Sequence, residues 1–268
     1  ANKRTFIFSK KDGQLKGVSV DNRKINFANG PRFIGARRAD RSLDQFYNHD
    51  DEKAKEKDRT YSEFPDAAVF TKLDVKEDGG NLVVTANYKL GNLDKAQWTI
   101  NPSGDLALDY TYNFSGVVDL MGIRFDYPED QVISKRWLGA GPYRVWQNRI
   151  HGTQYDVWEN DYNDPIPGET FTYPEFKGYF GDVSWMNIQT KEGTISLTNE
   201  TPDTYIGVYQ PRDGRDRLLY TLPESGISVL NVIPPVRNKV NSTDLCGPSS
   251  QPKWVNGPQT GRVIFRFM

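Results

Sequence analysis

The chain has 268 residues, of which 37% are hydrophobic and 13% aromatic, and a formal net charge of −1 from 34 basic and 35 acidic side chains. This length suits one or two domains, and the aromatic content excludes a disordered chain. The balanced charge lacks the basic footprint of a nucleic-acid binder, and no apolar run approaches the ~18 residues of a membrane-spanning helix.

In chain order, strand patterns dominate. Thr5 to Phe8 and Gly17 to Val20 flank Lys11-Asp12-Gly13, which reads as a hairpin turn. Leu43 to Tyr61 is the only helical candidate; its run of charges and poor apolar stripe predict a solvated loop or a short surface helix. Ala68 to Val75, Leu82 to Tyr88 and Leu106 to Phe114 alternate apolar and polar residues, separated by Asp78-Gly79-Gly80 and Pro102-Ser103-Gly104. Further strands are predicted at Tyr155 to Glu159, Val183 to Gln189, Thr194 to Thr198, Ile227 to Val232 and Val263 to Phe267. Asn160 to Tyr173 and Pro234 to Gly261 read as long ordered loops, where binding residues tend to lie. Many short strands with Gly, Pro and Asn breaks predict an all-β antiparallel sandwich.

Several chemistries have no residues to carry them. The single cysteine, Cys246, allows neither an internal disulfide nor a cysteine zinc cluster. His49 and His151 lack metal-ligand spacing. No Gly-rich loop opens a helix, and no Gly-x-Ser-x-Gly elbow occurs. Glycoside hydrolysis uses two carboxylates flanking one sugar, and most carboxylates here fit a solvated surface instead. No catalytic residue, cofactor or metal is therefore assigned. Ala1 is not an initiator methionine, so a processed or excised chain is expected.

The run Trp137-Leu138-Gly139-Ala140-Gly141-Pro142-Tyr143-Arg144-Val145-Trp146-Gln147-Asn148-Arg149 resembles a signature of glycoside hydrolase family 2 β-galactosidases, roughly W-x-G-x-G-P-x-E-N-Y-x-D-R in their C-terminal domain. Arg144 replaces its Glu, Trp146 its aromatic and Asn148 its Asp. Pro174 to Trp185 is similar to the family's P-Q-E-N-G-N-R-x-D-V-R-W through Pro174, Gly178, Asp182, Val183 and Trp185. Glu175 replaces the Gln, Phe176 the acidic residue and Phe180 the Arg. Lys239 to Pro248 resembles a loop, roughly G-V-G-G-D-D-S-W-G-P, that lends a sugar-stacking Trp to the family's active site. Asp244 is retained there and Cys246 stands in place of the Trp. Weaker similarities at residues 8–15, 30–40 and 262–267 extend the resemblance over nearly the whole chain.

The resemblance implies one antiparallel β-supersandwich over residues 1–268, of the galactose mutarotase-like kind, forming the C-terminal part of a larger glycoside hydrolase. Its catalytic carboxylates would sit on a separate barrel domain. The expected role is non-catalytic: shaping the substrate pocket beside that barrel, or binding carbohydrate. A stand-alone mutarotase-like enzyme is the alternative; it needs a general acid near a general base, and here His151 with Glu175 or Asp182 is the available set. A purely structural or oligomerisation domain is the third reading. The expected partners are a galactoside or related oligosaccharide and the barrel, with no nucleic acid or membrane, in a periplasmic or extracellular setting.

The candidate carbohydrate-binding residues are Arg144, Trp146, Arg149, Trp158, Glu175, Asp244 and Trp254. Arg144 and Arg149 suit sugar hydroxyls or a uronic carboxylate, or else ion pairs. Trp146, Trp158 and Trp254 suit stacking on a ring, or else packing. Trp137 and Trp185 are expected to be core rings, His151 a loop histidine, and Cys246 a small buried side chain.

Overall fold

A computed structural model describes residues 3–38, 61–162, 166–168, 176–209, 222–236 and 247–268. Its strands run in chain order. The first five are β1 (Arg4–Phe8), β2 (Leu15–Val20), β3 (Arg23–Ile25), β4 (Ala28–Arg38) and β5 (Tyr61–Glu63). A run of neighbours follows: β6 (Val69–Asp78), β7 (Asn81–Lys89), β8 (Leu93–Ile100), β9 (Leu106–Val118) and β10 (Leu120–Asp126). Next come β11 (Val132–Gly141), β12 (Gln154–Asp161), β13 (Phe180–Gly181), β14 (Trp185–Thr190) and β15 (Gly193–Asn199). The last three are β16 (Tyr205–Val208), β17 (Ile227–Val232) and β18 (Lys253–Phe267).

Among the described residues these strands form two antiparallel nine-stranded sheets. The first has the order β1-β2-β4-β10-β17-β16-β13, with β3 on β2 and β5 on β4; the second has β12-β11-β14-β15-β18-β9-β8-β7-β6. The all-β antiparallel supersandwich is therefore present, and all ten strands read from sequence are found. The predicted first hairpin closes with Gly13 N donating to Ser9 O at 2.9 Å, and Asp78 pairs with Asn81 across the Gly79-Gly80 turn. Leu43 to Tyr61 lies outside the described residues except for Tyr61, which opens β5.

Three differences from the sequence reading have physical causes. β4 and β10 show little alternation because their outer faces are also covered at Ile34, Ala36 and Leu120, which are buried like the inward Phe33, Met121 and Ile123. Alternation reports a strand with one wet face, so these two were not legible. The predicted loop from Pro234 to Gly261 is strand from Lys253 onward. Pro258 misleads there: β18 pairs with β9 along its whole length, whereas β15 covers it only from Val263. The proline thus sits where one side of the strand has no ladder to break.

The sheets are joined by a layer of rings. Phe27 and Phe125 from the first sheet meet Phe265 and Trp98 from the second, all fully buried. Phe27 stacks on Phe125 at 4.8 Å and touches Phe265 at 5.0 Å; Phe125 meets Phe265 at 5.3 Å and Trp98 at 6.0 Å. Offset and edge contacts of this kind add to the burial of large apolar area. Tyr110 and Tyr112 extend the layer, and burial pushes both phenols well above the ordinary tyrosine range.

Phe27→Ala should cost about 3–5 kcal/mol, read as a lowered urea midpoint at unchanged slope; a loss below about 1 kcal/mol would contradict the central place given to this ring. The buried tyrosines give an alkaline prediction. Their folded pKa lies above the unfolded value of about 10, so their contribution is whole below about pH 10 and fades as pH rises further. Phenolate absorbance of these groups should appear together with unfolding rather than before it.

Candidate functional site

The two signature segments, 137–149 and 176–185, meet in space. Val145 and Tyr179 exchange both backbone hydrogen bonds at 2.7 Å. The Trp146 ring meets Tyr179 edge-on at 5.7 Å, and Trp137 meets Phe180 at 4.9 Å. Gly178 is needed for this approach, because a Cβ there would lie 1.8 Å from Val145 O. Gly141 is held similarly by Trp158, whose Cδ1 would be 2.4 Å from an added Cβ. Asp182 takes a left-handed φ of 49°, a conformation that Asp tolerates better than most residues.

These segments cover the outer face of the first sheet. Val145, Trp146 and Tyr179 pack on Ile34 and Ala36 of β4, Leu120 of β10 and Leu230 of β17, forming a second apolar cluster. That cluster is why β4 and β10 are also covered on their outer face at Ile34, Ala36 and Leu120.

The candidate residues fall into different settings. Trp146 is buried with its ring in the second cluster. Arg144 is also buried, its guanidinium carbon 5.9 Å from the Phe180 ring. Trp158 is half-buried over Gly141, with its indole N–H donating to Gln154 O. Arg149 is exposed and lies 5.7 Å from the Phe176 ring. Trp254 is 72% exposed on β18, paired with Val117. Glu175 and Asp244, with Cys246, lie outside the described residues. Trp137 is a core ring, its indole donating to Ala140 O at 3.0 Å, whereas Trp185 is half-buried on the outer face of the second sheet.

Two departures from the family pattern are neighbours here. Lys135 is buried, donates to Asp161 O at 3.0 Å, and places its ammonium 5.8 Å from Phe180. Phe180 therefore has Arg144 and Lys135 against one ring, which favours both cations through its π face. An arginine at 180 would add a third positive charge at this point. The exchange of Glu for Arg144 and of Arg for Phe180 is thus electrostatically coupled. Burial pushes the adjacent Tyr179 phenol up, while Arg144 pulls it down.

The sequence reading missed Gln147 and Asn148. Asn148 Nδ2 donates to Val236 O at 2.9 Å, and Val236 N donates to Asn148 Oδ1 at 2.8 Å. Gln147 Nε2 donates to Ser249 O at 2.9 Å and to Gln251 O at 2.7 Å, while its backbone N donates to Pro234 O at 3.1 Å. The signature segment thus binds the residues on either side of 237–246, Pro234 and Val236 before it and Ser249 and Gln251 after it. Asn, rather than the family's Asp, suits this role, because a carboxylate could accept from Val236 N but not donate to Val236 O. The signal that pointed here was the motif itself; its partners are 88 to 104 residues away.

A family model described as β-galactosidase small chain matches residues 1–235. A search of curated proteins finds no match. Among solved structures, the chain aligns over its full length with an α-N-acetylgalactosaminidase of Bifidobacterium bifidum in complex with GalNAc, at 11% identity and TM-score 0.47. It spans 36% of that enzyme. It also aligns over its full length with a galactose 1-epimerase of Lactobacillus acidophilus, covering 99% of it at 7% identity and TM-score 0.42. An aldose epimerase homologue of C. elegans is matched over 99% of its length at 7% identity and TM-score 0.31.

Asn148→Ala removes both bonds to Val236 and should cost about 1–3 kcal/mol. The Val236 amide should exchange its hydrogen about tenfold faster or more, since each decade corresponds to about 1.4 kcal/mol. Asn148→Asp keeps one bond and should fall between. Equal exchange in all three proteins would remove the clamp.

Proposed function

Because the chain belongs to the β-galactosidase small-chain family, we propose that it is the non-catalytic, carbohydrate-associated domain of a larger β-galactosidase-like glycoside hydrolase. It shapes the substrate pocket beside a catalytic barrel. The observation that carries this reading is the double clamp of Gln147 and Asn148 on the residues either side of segment 237–246. The resemblance gives that segment the sugar-facing loop of the family. Binding residues commonly lie on the connections that a rigid sheet positions. Cys246 in place of the stacking Trp changes what the loop offers, so the sugar preferred differs from a plain galactoside. Work on polysaccharide outside the cytoplasm, in the periplasm or beyond the cell, suits such a domain.

The stand-alone epimerase reading draws little from the geometry. His151 sits on an exposed turn, and among the described residues its ring makes no hydrogen bond or ion pair. An acid–base pair with Asp182 is therefore not assembled there.

Two measurements test the proposal. Polarimetry of galactose anomer interconversion should show no acceleration over buffer; acceleration would overturn the non-catalytic role. Isothermal titration with galactosides and uronic-acid oligosaccharides should give binding that weakens in Asn148→Ala. Flat traces with every sugar, alone and with the catalytic portion added, would reduce the domain to a structural one.

A further inference from the structure

The outer face of the first sheet is apolar at one end and polar at the other. Side chains alternate along a strand, so Arg32 shares a face with Ile34 and Ala36, and Arg124 and Asp126 share one with Leu120. The apolar half lies under Val145 and Trp146. The polar half opens into a cavity of about 520 Å³, within the ~300–1,000 Å³ usual for small-molecule sites.

Arg32 and Arg124 face each other directly across β4 and β10. Like charges placed opposite in an antiparallel pair are unfavourable unless something offsets them. Among the described residues, the carboxylate of Asp66 feels both guanidiniums electrostatically, and each arginine has one further partner. Arg32 uses Nη2 to pair with Asp126, and Arg124 uses Nη1 to reach Glu224 O. Each guanidinium has five N–H donors, and among the described residues each commits one terminal nitrogen while its Nε is buried. Asp126 is fixed from its other side by Asn29 Nδ2 at 2.9 Å. Glu129 and Glu224 also line the cavity, and Tyr209 forms part of its wall. Tyr209 holds a left-handed φ of 60°, with its N–H donating to Gly226 O at 2.6 Å and its hydroxyl to Tyr127 O at 3.2 Å. A strained non-glycine backbone costs stability and persists where the surroundings enforce it, commonly around a site.

We propose that this cavity binds one neutral pyranose unit of a carbohydrate, a site separate from the 237–246 segment. Among the described residues three carboxylates stand against two guanidiniums, so this part of the lining carries no net positive charge and does not favour a free anion. A hydroxyl donates once and accepts twice, so vicinal hydroxyls match guanidinium donors and carboxylate acceptors set side by side. The tyrosine rings supply an apolar wall of the kind that sugar C–H faces meet. This inference rests on the carbohydrate-associated reading above and deepens it by naming a second contact.

The test is isothermal titration of the full chain with neutral methyl glycopyranosides of galacto, gluco and manno configuration, and with glucuronic and galacturonic acids. The expected result is saturable binding of at least one neutral glycoside and weaker binding of the acids. Arg124→Gln should weaken it at least tenfold, and Arg124→Lys, which keeps the charge but loses the fork, by a smaller factor, with near-ultraviolet dichroism unchanged. Glycoside binding that Arg124→Gln leaves unchanged would overturn the cavity site while leaving the proposed function standing. No neutral glycoside binding by the wild-type chain, or tighter binding of the acids, would also overturn it; in that case addition of the catalytic portion to the titration reports separately on the proposed function.

Discussion

Phe27, Phe125, Phe265 and Trp98 meet between the two sheets with centroids 4.8 to 6.0 Å apart, and the remaining architecture is arranged around that contact. Two large sheets need a dry filling about one side chain deep from each face, and aromatic rings provide it with few residues. The filling fixes which edge of every strand faces inward. Phe125 pointing in forces Arg124 and Asp126 out, and Phe33 pointing in does the same for Arg32 and Ile34. The chemistry on the outer face follows from the packing of the inner one.

The outer face of the first sheet then has to be managed. Half of it is apolar and is covered by the two signature segments, which pair backbone to backbone through Val145 and Tyr179. Covering that face brings Gln147 and Asn148 beside Pro234 and Val236 and beside Ser249 and Gln251. A packing requirement and a loop-holding requirement are therefore met by the same thirteen-residue stretch, residues 137–149. This accounts for a motif whose most prominent members, Trp137, Gly141 and Trp146, are buried while its amides reach outward.

The departures from the family pattern also form a consistent physical set. Arg144 and Lys135 flank Phe180, so the altered residues compensate one another in charge. The Phe180 ring face contributes a favourable contact to both cations.

The sequence by itself determined that the chain is an all-β antiparallel sandwich of the β-galactosidase small-chain kind. Period-two alternation in β7 and β9 reports strands with one wet face, and the Trp137 and Pro174 motifs are local strings that need no partner to be read. Only the tertiary structure decided that Trp146 is buried while Trp254 is open, that β4 and β10 are covered on their outer face at Ile34, Ala36 and Leu120, and that Gln147 and Asn148 bind Val236, Ser249 and Gln251 some hundred residues away. Local periodicity records how one strand meets solvent. It carries nothing about which distant backbone completes an amide's hydrogen bonds, because that is set by the register of sheets that the aromatic layer locks together.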